Sequence, residues 1–408
     1  MASAWLLSRA HDVVLYEAGS YLGGHTNTVD VTLDGLTSPA DTGFLVYNTN
    51  TYPNLIGMLD ELQVGSYATD MSFGVSMNNG QLEWAGTDLN SVFAQRRNLI
   101  SASFLLMLKE ILRFNKAAPA YLERSMQNGI SLGELLTAEK YGEIFRDAYL
   151  LPMAAAIWSS SPGDILKFPA SSFIRFCMNH SLLQVNDRPK WQTVQGGARE
   201  YVRKMAIRLN DVRLNSPVES VLRTPDEALV LTAGKTERFD AVVFGTHAPD
   251  TENMLIDASA EEQALLGAVK YQPNVAYLHT DLTLMPQQRK VWSAWNYLGA
   301  EKTDGSNPVC VSYWLNKLQQ LPFPTPLIVT LNPIHQPDPA KVLRSFQYQH
   351  PVFDQAAIHA QQRLGQIQGK NRCWFAGAWT GYGFHEDGLK SALRVASEFG
   401  VLPKWAKL

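Results

Sequence analysis

Residues 13–29 read VVLYEAGSYLGGHTNTV, and this stretch decides the fold. A short apolar run, residues 13–16, leads directly into the acid Glu17, and two glycines, Gly23 and Gly24, follow. In a parallel α/β sheet that binds a dinucleotide, the second strand ends in an acid that hydrogen-bonds a ribose hydroxyl. Adjacent glycines let the backbone approach a bulky anionic group such as a pyrophosphate. The pattern predicts a dinucleotide-binding unit, and a plain strand followed by a glycine turn fits it equally well.

The glycine-rich turn that belongs before such a strand is missing from the given sequence. A strand, a G-x-G-x-x-G turn and a helix whose N-terminus holds the pyrophosphate are expected upstream of it. Residues 2–8 have the character of the body of that helix. We therefore expect that the sequence starts after the first strand and its turn, as a fragment or from a wrongly assigned start. The other interpretation is a chain that cannot bind the cofactor in the usual way.

A second glycine-rich segment lies near the other end, where residues 373–396 read CWFAGAWTGYGFHEDGLKSALRVA. An apolar strand ends in small residues, and Gly388 is expected to open a helix that carries Ala392 and Ala396 on one face. The start of a helix offers unpaired N–H groups and the positive end of its dipole to an electron-rich ring. The alternative is an ordinary buried turn between a strand and a helix.

Length and composition limit the class of protein. The chain has 408 residues, 46% hydrophobic and 18% charged, which is long enough for two domains with separate cores. A formal net charge of -3 gives no electrostatic basis for a nucleic-acid partner. Cys177, Cys310 and Cys373 are far apart in sequence, so neither a disulfide framework nor a metal site is predicted. We expect buried, reduced thiols in a cytoplasmic protein.

Short apolar strands recur far apart along the chain, at residues 13–16, 241–244 and 373–376. Between them, residues 89–149 show helical periodicity, and residues 274–280 and 327–331 have the pattern of strands of another sheet. This dispersion predicts a discontinuous α/β architecture. The predicted units are a cofactor-binding domain of residues 1–55, 190–255 and 365–408 and a substrate domain of residues 56–189 and 256–364.

The longest apolar stretch, residues 99–108, ends at Lys109 and is too short to span a bilayer. Arg96 and Arg97 precede it, so a helix that lies on a membrane surface is one interpretation. A helix that faces the protein core is the other, and we favour it. Peripheral membrane contact is therefore kept as a hypothesis, and no obligate protein partner is predicted.

Taken together, these segments resemble the flavin-containing amine oxidase and phytoene desaturase superfamily. The resemblance is closest to the bacterial proteins described as predicted NAD/FAD-binding proteins, and it covers nearly the whole chain. Its anchors are residues 17–25, 41–44, 191–201, 240–249 and 375–396. The resemblance implies an FAD/NAD(P)-binding Rossmann-like domain, here without its first strand and glycine turn, with an inserted substrate domain of helices and an antiparallel sheet. The implied cofactor is FAD.

The resemblance also implies a set of cofactor contacts. Glu17 would bind the adenosine ribose, and Val218 would meet the adenine through its backbone. The remaining contacts are Gly23, Gly24 and His25 along the pyrophosphate and ribityl chain, Gly377 at the diphosphate, and Asp387, Gly388 and Leu389 at the flavin ring.

Three further side chains are candidates for catalysis. His385 and Glu386 stand just before the expected helix start, where they can touch the ring or the substrate. His279 belongs to a polar cluster at a strand end and has the chemistry of a general acid or base. A hydrogen-bonded strand terminus is the simpler interpretation of His279, and we favour it.

Two departures from the family pattern bear on the reaction. Ala378 stands where many relatives have a glutamate, and Asn274 or Val275 stands nearest the position of the lysine that amine oxidases place at the flavin. We therefore predict hydride transfer between the flavin and a small hydrophobic substrate that is lipid, fatty-acyl or polyene-like. The alternatives are a flavin amine oxidase, a flavin-free binding protein of the GDP-dissociation-inhibitor type, and an inactive fragment.

Overall fold

The computed structural model describes residues 1–184, 189–299 and 309–408. The helices are α1 (Ala2–Leu7), α2 (Pro53–Glu61), α3 (Leu89–Val92), α4 (Ala102–Asn128), α5 (Leu132–Ala138), α6 (Glu143–Phe145), α7 (Leu151–Trp158), α8 (Pro162–Lys167), α9 (Ala170–Asn179), α10 (Arg199–Ala206), α11 (Ala248–Met254), α12 (Ala260–Leu266), α13 (Leu315–Leu318), α14 (Gln355–Arg363) and α15 (His385–Glu398). The strands are β1 (Val14–Tyr16), β2 (Thr28–Leu33), β3 (Leu36–Asp41), β4 (Tyr47–Asn48), β5 (Ser66–Ala68), β6 (Phe73–Met77), β7 (Leu82–Ala85), β8 (Trp191–Val194), β9 (Asp211–Arg213), β10 (Val218–Arg223), β11 (Ala228–Thr232), β12 (Lys235–Phe239), β13 (Val242–Phe244), β14 (Tyr271–His279), β15 (Trp295–Gly299), β16 (Cys310–Trp314), β17 (Ile328–Leu331), β18 (Val342–Pro351) and β19 (Cys373–Phe375).

The parallel strands join distant parts of the chain. β1 pairs with β9, with Val14 opposite Asp211, and β13 pairs with β19, with Val242 opposite Cys373. The two pairs form separate two-stranded sheets, because β1 and β19 have no second paired strand in the described part of the chain. The mixed α/β fold predicted from the strand pattern is present, and β1, β9, β13 and β19 form two separate parallel pairs.

Four helices, α1, α2, α10 and α15, pack together around one core. α15 buries Leu389, Ala392, Leu393 and Ala396, whose spacing of three and four residues puts them on one face of the helix. This face contacts α1 and α2 in a core that also contains the fully buried Trp5. Helices on the flank of short parallel strands are the arrangement that buries such strands in an α/β unit.

A seven-stranded sheet forms the other half, in the order β18-β14-β17-β16-β15-β6-β7. All its pairings are antiparallel except the one between β15 and β6. The strands predicted at residues 274–280 and 327–331 correspond to β14 and β17. Helices α4 to α9 cover one end of the sheet and share a core in which Phe104 and Phe114 meet Val75 and Tyr297.

The longest helix, α4, has clear local signals at both ends. The Ser101 hydroxyl accepts a hydrogen bond from the N–H of Phe104, and Gly129 ends the helix at φ 64°, a conformation that favours glycine. Over the described residues, no helix is both long enough and apolar enough to cross a membrane.

Packing divides the chain somewhat differently from the predicted domain boundaries. α2 belongs to the core of α1 and α15, and β5 pairs with β8, so residues beyond 55 lie with the cofactor-type unit. α12 and α14 share a core with β13 and β19. Leu266 of α12 and Leu364, which follows α14, belong to this core.

A buried ion pair fastens the three-stranded sheet of β10, β11 and β12 to α12. The guanidinium of Arg223 donates to the Glu262 carboxylate at 2.8 Å and to the Asp257 carboxylate at 3.1 Å. The side chains of Arg223 and Glu262 are each only 2% exposed. Removing one member of a buried pair leaves the other charge without compensation.

Arg223→Ala is therefore expected to lower the free energy of unfolding by about 3 kcal/mol or more. The matched control is Arg238→Ala in the same sheet, since Arg238 pairs with Glu227 at 3.4 Å while 76% exposed. Exposed pairs contribute at most about 1 kcal/mol. Urea unfolding of both variants measures the difference, and equal losses would show that solvent reaches the Arg223 pair.

Candidate active site

A cavity of about 500 Å³ lies between the two halves of the molecule. On the cofactor side its walls are the loops at residues 23–26, 42–46, 245–247, 377–379 and 383–385. On the other side they are the end of α7, residues of α9, and strands of the seven-stranded sheet. The loops after β13 and β19 are the carboxyl ends of parallel strands, which is where open α/β sheets bind ligands.

The structure brings five of the predicted site residues together in this wall: Gly23, Gly24, His25, Gly377 and His385. Gly23, Gly24 and Gly377 have φ of 109°, 57° and 156°, in the region that favours glycine. Gly377 lies more than 350 residues after Gly23 and Gly24 in the chain, and the three glycines meet at one end of the cavity.

The other five predicted cofactor contacts, Glu17, Val218, Asp387, Gly388 and Leu389, lie outside the described cavity wall. Glu17 follows β1, and its carboxylate accepts a hydrogen bond from the Gly19 N–H at 2.8 Å. Val218 begins β10 against a separate core, and Leu389 is buried against α2. Gly388 differs from the expectation, because α15 begins three residues earlier and the Gly388 N–H already donates to the Phe384 carbonyl at 3.1 Å.

Two acids at the start of α15 have structural partners. Glu386 is buried and accepts hydrogen bonds from the N–H groups of Asn54 and Leu55, so it caps α2. The pKa of Glu386 is raised by burial. Asp387 accepts from the N–H groups of Tyr382 and Phe384 and fixes the loop before α15. Neither carboxylate lines the cavity, and the contacts give Glu386 a capping role in place of the predicted catalytic one.

His279 is fully buried at the end of β14, away from the cavity wall. Its Nδ1 accepts a hydrogen bond from the Asp281 N–H at 3.0 Å, and its Nε2 lies 2.7 Å from the Thr330 hydroxyl. Burial lowers the pKa of His279 to about 4. These contacts match the hydrogen-bonded strand terminus that we favoured over a catalytic role.

Asp41, at the end of β3, precedes the cavity residue Thr42 and is hydrogen-bonded to three other segments of the chain. Its buried carboxylate accepts hydrogen bonds from the Thr28 hydroxyl, the Ala198 N–H at 3.0 Å and the Gln319 amide at 2.8 Å. A Cβ on Gly197 would lie 2.4 Å from a Thr28 carbon, so only glycine permits this approach. Burial raises the pKa of Asp41 to about 6, against the lowering effect of its three partners.

A hydrogen-bonded chain orients His385. The Thr26 hydroxyl lies 3.1 Å from the buried Tyr201 hydroxyl, which lies 2.8 Å from His385 Nε2. The imidazole also stacks on Phe44, with ring centroids 4.1 Å apart. His385 is therefore held on both its edge and its face.

Five of the nine histidines line this cavity: His25, His180, His247, His350 and His385. The rings of His25 and His350 lie 5.3 Å apart. Burial lowers the pKa of His25 to about 3 and those of His180, His350 and His385 to about 4, so these imidazoles are neutral at neutral pH. Sequence reasoning missed three of them. The loop after an apolar strand was the signal for His247, whereas His180 and His350 carry none.

The described cavity wall is uncharged at neutral pH, because burial keeps its histidines neutral. No Asp, Glu, Lys or Arg contributes to it over the described ranges. Its far end is apolar, with Met71, Ile157, Trp295, Tyr313 and Leu331 among the lining residues. The arrangement can hold a neutral ligand of mixed polarity, with its polar part towards the glycines.

A second cavity, of about 440 Å³, lies on the other side of an aromatic wall. Phe176 forms this wall with Phe384 at 4.7 Å and Tyr382 at 5.9 Å between ring centroids. Met126, from the last turn of α4, lines the second cavity.

Sequence comparison identifies the family. The sequence profile of the flavin containing amine oxidoreductases matches residues 1–399. The chain belongs to this family. Its members are flavoprotein oxidoreductases, and the cofactor is FAD. A search of curated protein sequences gives no match.

Several solved structures share the fold of this family member. The chain is similar to the CLA-producing fatty acid isomerase from P. acnes, with 13% identity, a TM-score of 0.67, and coverage of 98% of this chain and 95% of the isomerase. It is also similar to a putrescine oxidase, with 14% identity, a TM-score of 0.65, and coverage of 98% and 95%. It is similar as well to cyclohexylamine oxidase from Brevibacterium oxydans IH-35A, with 13% identity, a TM-score of 0.64, and coverage of 98% of this chain and 96% of the oxidase.

The cavity wall fits FAD at the polar end. His25 Nε2 and Trp379 Nε1 are buried without a hydrogen-bond partner in the described part of the chain. A Cβ added to Gly24 or Gly245 would meet no atom within 4 Å, so open space lies against both backbones. Buried polar atoms without partners cost free energy that an acceptor-rich ligand can recover. Gly23, Gly24, His25 and Gly377 are the residues that would hold the cofactor.

Acidification is expected to destabilise the protein through the cavity histidines. The folded-state pKa of His385 is about 4, below the ordinary value of 6.5. The unfolded chain therefore takes up the proton first, and the stability contributed by neutral His385 is present above the unfolded pKa and lost as the pH falls towards 4. His385→Gln should lose about 2 kcal/mol less stability than the wild type between about pH 7.5 and about pH 5. Urea unfolding at both pH values measures this, and identical losses would show that His385 is already accessible to protons.

The approach of Gly43 to His25 is expected to be essential for cofactor retention. A Cβ at position 43 would lie 2.1 Å from the His25 carbonyl oxygen, so Gly43→Ala must displace the loop that carries Gly23 and Gly24. We expect FAD affinity to fall by about tenfold or more. The control is Gly86→Ala, whose Cβ would meet nothing within 4 Å. Flavin absorbance after gel filtration measures retention, and equal occupancy in both variants would place the cofactor away from this loop.

Proposed function

We propose that this FAD-dependent oxidoreductase transfers a hydride between the flavin and a small hydrophobic substrate that is lipid, fatty-acyl or polyene-like. The observation that carries the proposal is the cavity wall, which is apolar at its far end and, among the described residues, has no ionised acid or base. Placing a charged substrate group in such a wall requires desolvation without a compensating partner. A neutral hydrocarbon portion meets no such cost, because burial of apolar surface is favourable.

FAD, when bound, supplies the hydride acceptor or donor. The protein then has to position the substrate and exclude water. Trp295, Tyr313 and Leu331 of the seven-stranded sheet form the surface that faces the cofactor side of the cavity. His25 Nε2 has no partner within the described residues and can exchange a hydrogen bond with a ligand. His385 is held through Tyr201 and Phe44 and shapes the same wall.

The amine-oxidase alternative has less support in this cavity. Asn274 stands nearest the position of the family lysine, and its side chain is hydrogen-bonded within the sheet. Its amide oxygen accepts from the Asn332 amide at 2.7 Å, and its amide nitrogen donates to the Gln272 carbonyl at 3.1 Å. Ala276 is the residue of β14 that lines the cavity near this point. An ammonium group would find no carboxylate among the described lining residues. The similarity in fold to a fatty acid isomerase supports an acyl substrate. Because amine oxidases share the same fold, the experiment below also includes amines.

The experiment is an anaerobic titration of the FAD-loaded protein with two substrate panels. One panel contains unsaturated fatty acids, their esters and a polyene, and the other contains benzylamine, putrescine and cyclohexylamine. We expect the visible flavin band to bleach, or the reduced flavin to be reoxidised, only with the hydrophobic panel. Bleaching by amines alone would overturn the proposal in favour of an amine oxidase. An FAD-loaded protein that responds to neither panel contradicts the proposed substrate class.

A charge introduced at the apolar end should separate substrate binding from cofactor binding. Met71 lines the cavity and is half-buried, so Met71→Glu places a carboxylate against the proposed substrate region. Hydrophobic ligand affinity should fall by at least about tenfold, because the carboxylate must lose water without a partner. Met71→Leu is the control and should bind like the wild type. Fluorescence titration with a fatty-acid probe, alongside FAD content, tells the two effects apart.

A further inference from the structure

Exposed apolar side chains are concentrated on one short part of the molecular surface. Five of the 17 strongly exposed large apolar residues of the described chain lie between residues 99 and 112: Leu99, Ile100, Leu105, Leu106 and Leu112. Ile100 is 88% exposed. The first two belong to the turn that precedes α4, and the others belong to the first turns of α4 itself. Clustered exposed apolar side chains of this kind are typical of interaction surfaces.

Positive charge surrounds these residues. Arg96, Arg97, Lys109, Arg113 and Lys116 are all exposed, and they lie in the same turn and helix. Glu110, the acid among them, is only 6% exposed; it accepts hydrogen bonds from the Gly142 N–H and pairs with Arg113 at 3.4 Å. From residue 96 to residue 116 the exposed charges are thus all positive, on a chain whose net charge is -3.

The helical geometry puts the two kinds of residue on one face. Leu105, Lys109, Leu112 and Lys116 are spaced by four, three and four residues, which keeps them on a single stripe of α4. The opposite face is packed into the core, as the exposure of 1% at Phe104 shows. We define the basic-apolar face as residues 96–116 on their exposed side.

We propose that the basic-apolar face docks on an anionic phospholipid bilayer. Apolar side chains enter the boundary between head groups and acyl chains, and the surrounding cations interact with lipid phosphates. Charge complementarity selects this occupant, because the exposed charges of the face have one sign and the cytoplasmic leaflet has the opposite one. The proposal concerns surface binding, and its test is independent of the substrate proposed above, because it uses no turnover measurement.

The experiment is flotation of the FAD-loaded full chain with two kinds of vesicle, phosphatidylcholine alone and phosphatidylcholine with phosphatidylglycerol. We expect flotation with the anionic vesicles and its loss at high salt. Ile100→Gln/Leu112→Gln should weaken binding by at least about tenfold by removing apolar insertion. Lys109→Gln/Lys116→Gln should weaken it by about tenfold by removing two cations. The control is Ile256→Gln, at a residue 63% exposed outside the face, which should float like the wild type.

Equal flotation with neutral and anionic vesicles, or unaltered flotation of the lysine variant, would overturn the electrostatic basis of the proposal. Absence of flotation together with a concentration-dependent dimer that Ile100→Gln/Leu112→Gln dissociates would assign the face to a second copy of the chain. Unchanged FAD content and circular dichroism in all variants confirm that the exposed substitutions leave the fold intact.

Discussion

The buried carboxylate of Asp41 is the interaction on which the cavity depends. It receives hydrogen bonds from the N-terminal end of α10 through Ala198, from β2 through Thr28, and from the substrate half through Gln319. A carboxylate withdrawn from water is costly unless such donors replace the water. The negative charge also lies at the positive end of the α10 dipole. One side chain thus fixes the relative positions of three segments that are distant in sequence.

The geometry downstream of Asp41 follows from this constraint. Thr42 contacts the hydroxyl of Tyr348 at 2.9 Å, and two residues later Phe44 stacks on His385. β3 therefore leads from the Asp41 contacts directly into the wall of the cavity. Since the same segment touches both β18 and α15, its displacement would alter the polar and the apolar ends together.

The strands and turns of this site could be predicted from the sequence, but only some of the residues that line it could. The apolar strands at residues 13–16 and 373–376, and the glycines after them, have local patterns that reflect local backbone needs. Glu386 was misleading, because an acid beside a glycine-rich loop has the same local pattern whether it faces a ligand or caps a neighbouring helix. Its partners Asn54 and Leu55 are more than 330 residues away. His180 and His350 could not be predicted for the same reason, since only tertiary packing brings them to the cavity.

Neutral imidazoles provide this cavity with hydrogen-bonding groups that carry no charge. Burial keeps His25 and His350 unprotonated at neutral pH, so each can donate or accept a hydrogen bond without bringing an ion into the cavity. On the proposed function, a hydrophobic substrate then displaces water from the apolar wall and leaves no unpaired charge behind. An ammonium group would have to give up its hydration to imidazoles that burial already holds in the neutral form. Selection between the two substrate classes would therefore rest on the cost of desolvation, because the uncharged wall imposes that cost on any charged group that enters it and spares neutral hydrocarbon.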